Sequence, residues 1–145
     1  KIKKVAALSG KRIGVCGGCT YEAYLNGTLK MTDAPAFAFQ VNDAKVKTYD
    51  TDTSAFDDLK AGDGKRLDAV LSARPALDEA IKNGYPLKLL GEPVYYEPLA
   101  VAVDKGDPQF SAKVKEIVES MHKDGTLSKL AIKYYGYDIS RPKGR

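Results

Sequence analysis

The sequence predicts an α/β fold, a mainly parallel sheet flanked by helices and followed by two C-terminal helices. Short apolar runs alternate with amphipathic stretches three times between Lys11 and Leu90, and glycines punctuate the alternation at Gly17-Gly18, Gly62 and Gly84. Beyond Asp107 the apolar spacing is helical throughout. Strands that alternate with helices pair in parallel and are joined by right-handed crossovers.

Lys11 to Cys16 reads as a buried strand. Thr20 to Met31 reads as a helix, with Tyr21, Tyr24, Leu25 and Leu29 as its apolar stripe. Thr32 to Asp43, with Pro35 and small residues, reads as loop, and Lys45 to Tyr49 alternates like a strand. Thr53 or Ser54 can cap a helix running to Ala61, with Phe56 and Leu59 on its inner side, ended by Gly62-Asp63-Gly64. Leu67 to Leu71 is the third strand. Pro75 stands where a first helical turn tolerates its missing N–H, and Leu77, Ala80 and Ile81 carry that helix to Gly84. Leu87 to Leu90 and Pro98 to Val103 read as two further strands. Phe110, Val114, Ile117, Val118 and Met121 then define one helix, Gly125 breaks it, and Leu127, Leu130, Ala131 and Tyr134 define another. The tail from Arg141 is basic and expected to be loose. No internal repeat is visible.

Composition narrows the function. With 43% hydrophobic residues, 145 residues can bury a real core. The net charge of +4 comes from 23 basic and 19 acidic side chains spread along the chain, so no face is built for a polyanion. The nine tyrosines lack any RNP-like motif or Cys/His finger spacing, and nucleic acid is not an expected partner. No apolar run approaches the roughly 18 residues of a membrane helix. The Lys-Ile-Lys-Lys start lacks the apolar stretch of a secretion signal and fits a processed or excised piece.

The segment from Arg12 to Glu22 is the most informative. A strand enters a double glycine and leaves through Thr20 into a helix, so glycines let the backbone approach a ligand while amides at the helix start favour an anion. A small carboxylate is the expected cargo. Thr20 is the first candidate contact, although its hydroxyl could serve as a helix N-cap instead. Cys16 and Cys19 form a C-x-x-C at this opening. They could act as a redox dithiol, stay as free thiols, or close a local disulfide that stiffens the loop in an oxidising compartment. Two cysteines and the distant His122 do not make a zinc site, and no other metal or cofactor is called for. Gly62-Asp63-Gly64-Lys65 lacks the spacing of a phosphate loop, Asp57-Asp58 reads as a solvated helix face, and His122 as a surface residue. Asn26-Gly27-Thr28 matches a glycosylation acceptor by composition alone. No nucleophile–base pair or carboxylate dyad emerges, so the chain is not expected to be an enzyme.

Several stretches together resemble the amino-acid-type (family 3) periplasmic solute-binding proteins of ABC transporters, with the type II periplasmic-binding-protein fold. They are Leu8-Ser9-Gly10-Lys11-Arg12-Ile13-Gly14-Val15, the glycine–threonine turn, Ala61-Gly62 followed by Arg66-Leu67-Asp68-Ala69-Val70, Asp104-Lys105-Gly106-Asp107, and Asp124-Gly125-Thr126-Leu127 ahead of Tyr134-Tyr135-Gly136. The resemblance implies that residues 8–97 are the second, ligand-binding lobe and that 98–139 are the hinge strand and C-terminal helices of the first. Residues 140–145 are then a loose tail, and most of the first lobe is absent. Helices deprived of their platform expose apolar faces, from which a swapped or face-to-face homodimer is expected.

The resemblance also implies that the turn of Gly18, Cys19 and Thr20 holds the ligand's α-carboxylate. In the family an acidic residue past the third strand pairs with the ligand's α-ammonium, but here Ser72 is followed by Ala73 and Arg74. Either Glu97, Asp50 or Asp52 supplies that negative charge, or the ligand is not an ordinary α-amino acid and Arg74 meets a second anionic group through its planar fork. Arg74 could equally be a solvated side chain at a helix start. Tyr95 and Tyr96, beside the hinge strand, read as packing. The implied function is the binding component of an ABC importer for a polar amino acid or related small carboxylate. It would work with a membrane permease, in the periplasm or outside the cell, soluble or lipid-anchored. A sensor domain, a dehydratase of the same fold with Glu97 as its acid, and a dithiol oxidoreductase are the rival readings.

Overall fold

Arg12–Cys16 form the central strand, β1, of a three-stranded parallel sheet, between β2 (Lys45–Tyr49) and β3 (Ala69–Val70). The computed structural model describes residues 2–32, 34–62 and 64–141. In chain order the elements are a 3-10 turn at Val5–Leu8, β1, α1 (Thr20–Leu25), β2 (Lys45–Tyr49), α2 (Asp52–Lys60), β3 (Ala69–Val70), α3 (Arg74–Lys82), α4 (Pro108–Lys123) and α5 (Thr126–Tyr135). The chain falls into two compact units, Lys1–Tyr95 and Tyr96–Arg145. The predicted α/β class holds.

In the first unit, β1 pairs with β2 from Arg12 opposite Lys45 to Cys16 opposite Tyr49, and with β3 at Ile13 opposite Ala69 and Gly14 opposite Val70. Ile13 and Val15 are buried in one cluster with Leu8, Tyr24, Leu25, Leu29 and Val41. Gly14 turns to the opposite face, as strand alternation requires. There an added Cβ would lie 2.7 Å from Leu67 Cδ1, 3.1 Å from Tyr49 Cε2 and 3.4 Å from Ala55 Cβ. The bare backbone is therefore what lets α2 and Leu67 close over β1. Asp68 fixes the opposite end of the same strands. Its carboxylate accepts the Arg12 amide at 2.8 Å, and the Arg12 guanidinium donates to the carbonyls of Gly64 and Lys65 at 2.7 and 3.1 Å.

The elements differ from the sequence-based reading in five places. α1 ends at Leu25, not Met31, because Asn26 caps it, Gly27 takes φ +70°, and the amides of Thr28 and Leu29 both turn back to the Ala23 carbonyl. The cap of α2 is Thr51, whose hydroxyl accepts from the Ser54 amide at 3.2 Å, rather than Thr53 or Ser54. The third strand keeps ladder geometry only at Ala69–Val70, although hydrogen bonds from Asp68 to Arg12 and from Leu71 to Gly14 extend its contact with β1 on both sides. Leu87–Leu90 and 98–103 are not strands. Extended chain becomes a strand only beside a partner edge, and Leu99 and Val101 are 87% and 61% exposed.

In the second unit, the Asp107 carboxylate caps α4 by accepting from the Phe110 amide at 2.8 Å. Gly125 and Gly136, both in the left-handed region, bracket α5. Asp138 accepts from the Ser128 hydroxyl and from the amide and hydroxyl of Ser140, which hold its carboxyl down at about 2. Ala131 is buried, whereas Phe110, Ile117, Leu130, Ile132 and Tyr134 are exposed. Arg141 donates to the His122 carbonyl at 3.0 Å; the tail predicted to be loose lies, from residue 142 onward, outside the described residues, as does Asp63.

Candidate functional site

In an open parallel sheet, the chain leaves the carboxyl ends of neighbouring strands in opposite directions where the strand order reverses, and a crevice opens between those departures. With the order β2-β1-β3, that place lies outside the carboxyl ends of β1 and β3. Two turns leave from it: Gly17–Cys19, leading into Thr20 and α1, and Ser72–Ala73, leading into Arg74 and α3. Six of the seven predicted ligand contacts, Gly18, Cys19, Thr20, Ser72, Ala73 and Arg74, therefore follow adjacent strand ends. Glu97 belongs to the second unit and is exposed. Asp50 and Asp52 follow β2 at the same carboxyl edge, and Asp52 carries a buried carboxylate oxygen, Oδ1, without a hydrogen-bond partner among the described residues.

The first turn is held by three devices. Gly18 adopts φ +74°, which only glycine takes readily. Cys16 and Cys19 are joined in a disulfide across the two glycines, with Cα atoms 5.7 Å apart. The Gly17 amide donates to the Tyr49 carbonyl at 2.9 Å, tying the turn to the end of β2. The remaining amides were expected to converge on a ligand, and one of them already meets an anion from the same chain: Gly18 N–H donates to the Glu22 carboxylate at 2.8 Å. Among the described residues, the amides of Cys19 and Thr20 donate to no protein acceptor.

Thr20 is not the helix cap. Cys19 occupies that position, and its side chain makes no capping bond. The Thr20 hydroxyl instead accepts from the phenolic hydroxyl of Tyr95 at 3.0 Å, across 75 residues of sequence. Tyr95 sits in an aromatic group with Tyr21, Tyr24 and Phe37, at ring separations of 6.5, 5.2 and 5.7 Å. Tyr24 anchors the long loop behind this group, donating to the Ala38 carbonyl and accepting from the Gln40 amide, each at 3.0 Å.

At the second turn Ser72 is only 8% exposed, and among the described residues its hydroxyl has no hydrogen-bond partner. A buried hydroxyl without a partner is costly and marks a place where a further group is expected. Ala73 caps α3 without a side-chain bond, no acidic residue lies in the first helical turn, and Pro75 occupies it as predicted. Arg74 Nε lies 3.4 Å from Asp78 Oδ2, so Arg74 is a paired side chain on the helix and not a wholly solvated one.

Sequence reasoning missed Glu22 and read Tyr95 as packing alone. Glu22 stands three residues after the cap, a spacing at which acidic side chains reach back to free amides. Tyr95 carries no local signal, because its hydroxyl meets Thr20 only through the tertiary fold. Asp58 was likewise read as solvated, yet its carboxylate accepts from Lys47 Nζ at 2.8 Å, Tyr49 Oη at 2.7 Å and Arg66 Nη1 at 2.7 Å.

No family model matches the chain. Among curated proteins, it is 33% identical over 141 residues to the L-cystine-binding protein TcyJ of Escherichia coli K12, covering 97% of this chain and 47% of that protein. It is 34% identical over 142 residues to the probable amino-acid-binding protein YxeM of Bacillus subtilis 168, covering 96% of this chain and 49% of that protein. Among solved structures, an ancestral arginine-binding protein bound to arginine superposes with a TM-score of 0.67 at 33% identity, covering 92% of this chain and 54% of that one. The chain thus spans about half the length of the relatives it matches. In sequence and in fold it is homologous, over that half, to the amino-acid-binding periplasmic proteins of ABC transporters.

Proposed function

We propose that this chain supplies one wall of the ligand site of an ABC importer's amino-acid-binding protein, with a polar amino acid or related small carboxylate as ligand. The observation that carries the reading is the pair of turns at the strand-order reversal. One presents the amides of Cys19 and Thr20 beside the Thr20 hydroxyl, and the other presents the buried, unpartnered hydroxyl of Ser72. The names of the homologues point to the same cargo, since relatives of this sequence are called cystine-, arginine- and histidine-binding.

On this reading residues 8–97 are the second lobe, and 98–139 the hinge segment and the helices that complete the first. The ligand's carboxylate sits at Gly18–Thr20 and its remaining polar groups face Ser72, Ala73 and Arg74. Glu97, or Asp50 and Asp52, balances an α-ammonium if the ligand carries one. The working protein is periplasmic or extracellular, soluble or lipid-anchored, and delivers its ligand to a permease. It carries out no chemistry of its own. The exposed apolar side chains of α4 and α5 support the expectation that this face is covered, by a second copy in a homodimer.

Calorimetry on the full-length protein, following a thermal-shift screen of amino acids and dicarboxylates, tests the proposal. The wild type should bind at least one of them. Thr20→Val, which removes one charge-assisted hydrogen bond worth about 1.5–3 kcal/mol, should weaken that binding about tenfold or more. Undiminished binding by Thr20→Val would remove Thr20 from the site.

A further inference from the structure

We propose that Tyr95 is a positioning residue for this site, setting the direction in which the Thr20 hydroxyl donates; the inference rests on the proposed binding of a carboxylate at that turn. A hydroxyl has one proton to give and two lone pairs to receive with. The Tyr95 hydroxyl donates to Oγ1 of Thr20 at 3.0 Å and so fills one of those lone pairs. The threonine's own proton must then point elsewhere. It is not used in capping, because Cys19 is the cap residue, and among the described residues the Thr20 hydroxyl donates to no protein acceptor. It therefore remains available to an acceptor arriving from outside, next to the amides of Cys19 and Thr20.

The arrangement is a donor chain from phenol to threonine to ligand oxygen. Each link polarises the next, so a hydroxyl that is itself accepting a bond is a better donor than an isolated one. The direction costs little to maintain. Tyr95 has few torsions to fix, and its ring is already held against Tyr21, Tyr24 and Phe37. A threonine without this partner would spend its proton on whatever acceptor was nearest, including the backbone of the preceding turn. The aromatic group and the anion turn, which look like separate features, are thus joined by one hydrogen bond between residues 75 positions apart.

The test is a double-mutant cycle on the full-length protein, with L-arginine, L-glutamine and L-cystine as probes in calorimetry. Tyr95→Phe keeps the ring and its packing and loses only the hydroxyl. It should weaken the bound probe by roughly three- to tenfold while leaving the melting temperature close to wild type. Thr20→Val should weaken binding further, and Tyr95→Phe added to it should cause no additional loss, because the phenol acts only through the threonine. Thr20→Ser, which restores the hydroxyl, should restore sensitivity to Tyr95→Phe. Losses that multiply in the double variant, or a Tyr95→Phe protein that binds like wild type, would overturn the role given to Tyr95. A wild type that binds none of these probes, nor any amino acid or dicarboxylate of the wider screen, would instead overturn the carboxylate-binding reading, and the role of Tyr95 with it.

Discussion

Gly14 shows how much a single position can govern. Its missing side chain is the space into which Leu67 Cδ1, Tyr49 and Ala55 pack, at 2.7, 3.1 and 3.4 Å from where a Cβ would stand. Leu67 and Ala55 are both buried, so neither can move aside freely. Gly14→Ala should destabilise the protein by about 1–3 kcal/mol through overpacking, read as a lower denaturant midpoint with an unchanged slope. At Gly18 the glycine serves a different end, since φ +74° lets its amide reach the Glu22 carboxylate at 2.8 Å. There the turn already holds an anionic group of its own chain. The glycine turn and the cysteine pair were legible in the sequence, because both follow from local chain geometry, whereas the N-cap role open to Thr20 falls to Cys19. The partner of Thr20 was not legible, because a hydrogen bond between residues 20 and 95 has no local signature.

Between elements, Asp58 ties α2 to β2 and to the loop before β3 by accepting from Lys47, Tyr49 and Arg66, with its side chain only 15% exposed. These donors, the Lys47 ammonium foremost, hold its carboxyl far below the usual carboxylate range. A carboxylate whose folded pKa is depressed contributes stability that is fully present above its unfolded value, near 3.8, and is lost as pH falls toward the folded one. Asp58→Asn should therefore melt below wild type at neutral pH, and the gap should narrow below about pH 4, followed by circular dichroism across that range. Arg66 moves upward beside the Asp58 carboxylate, and Tyr49 moves upward chiefly through burial, with its hydrogen bond to Asp58 adding to the shift.

Element types were readable wherever amphipathic spacing had a core to face, as in β1, β2, α2 and α3. The misses have non-local causes. Leu29 is buried, as the apolar spacing implied, yet it reaches the core from a turn after Asn26-Gly27 and not from a continued helix. The runs at Leu87–Leu90 and 98–103 have strand-like composition but pair with no strand among the described residues. Strand formation belongs to a pair of segments, and one segment's sequence cannot specify it.

At the scale of the whole molecule, chain order and the proposed site meet in the arrangement β2-β1-β3. A sheet in that order has its reversal between β1 and β3, and the two turns leaving there carry a threonine hydroxyl, a buried serine hydroxyl and unspent amides. The chain spans about half the length of the relatives it matches, and on the proposed function these turns form one wall of the ligand site. The most direct measurement is amide chemical-shift perturbation in the full-length, nitrogen-15-labelled protein titrated with L-arginine, L-glutamine and L-cystine. Binding at the strand-order reversal predicts, within this chain, the largest changes at Gly18, Cys19 and Thr20 together with Ser72, Ala73 and Arg74. A probe that binds while both turns stay silent would contradict the account.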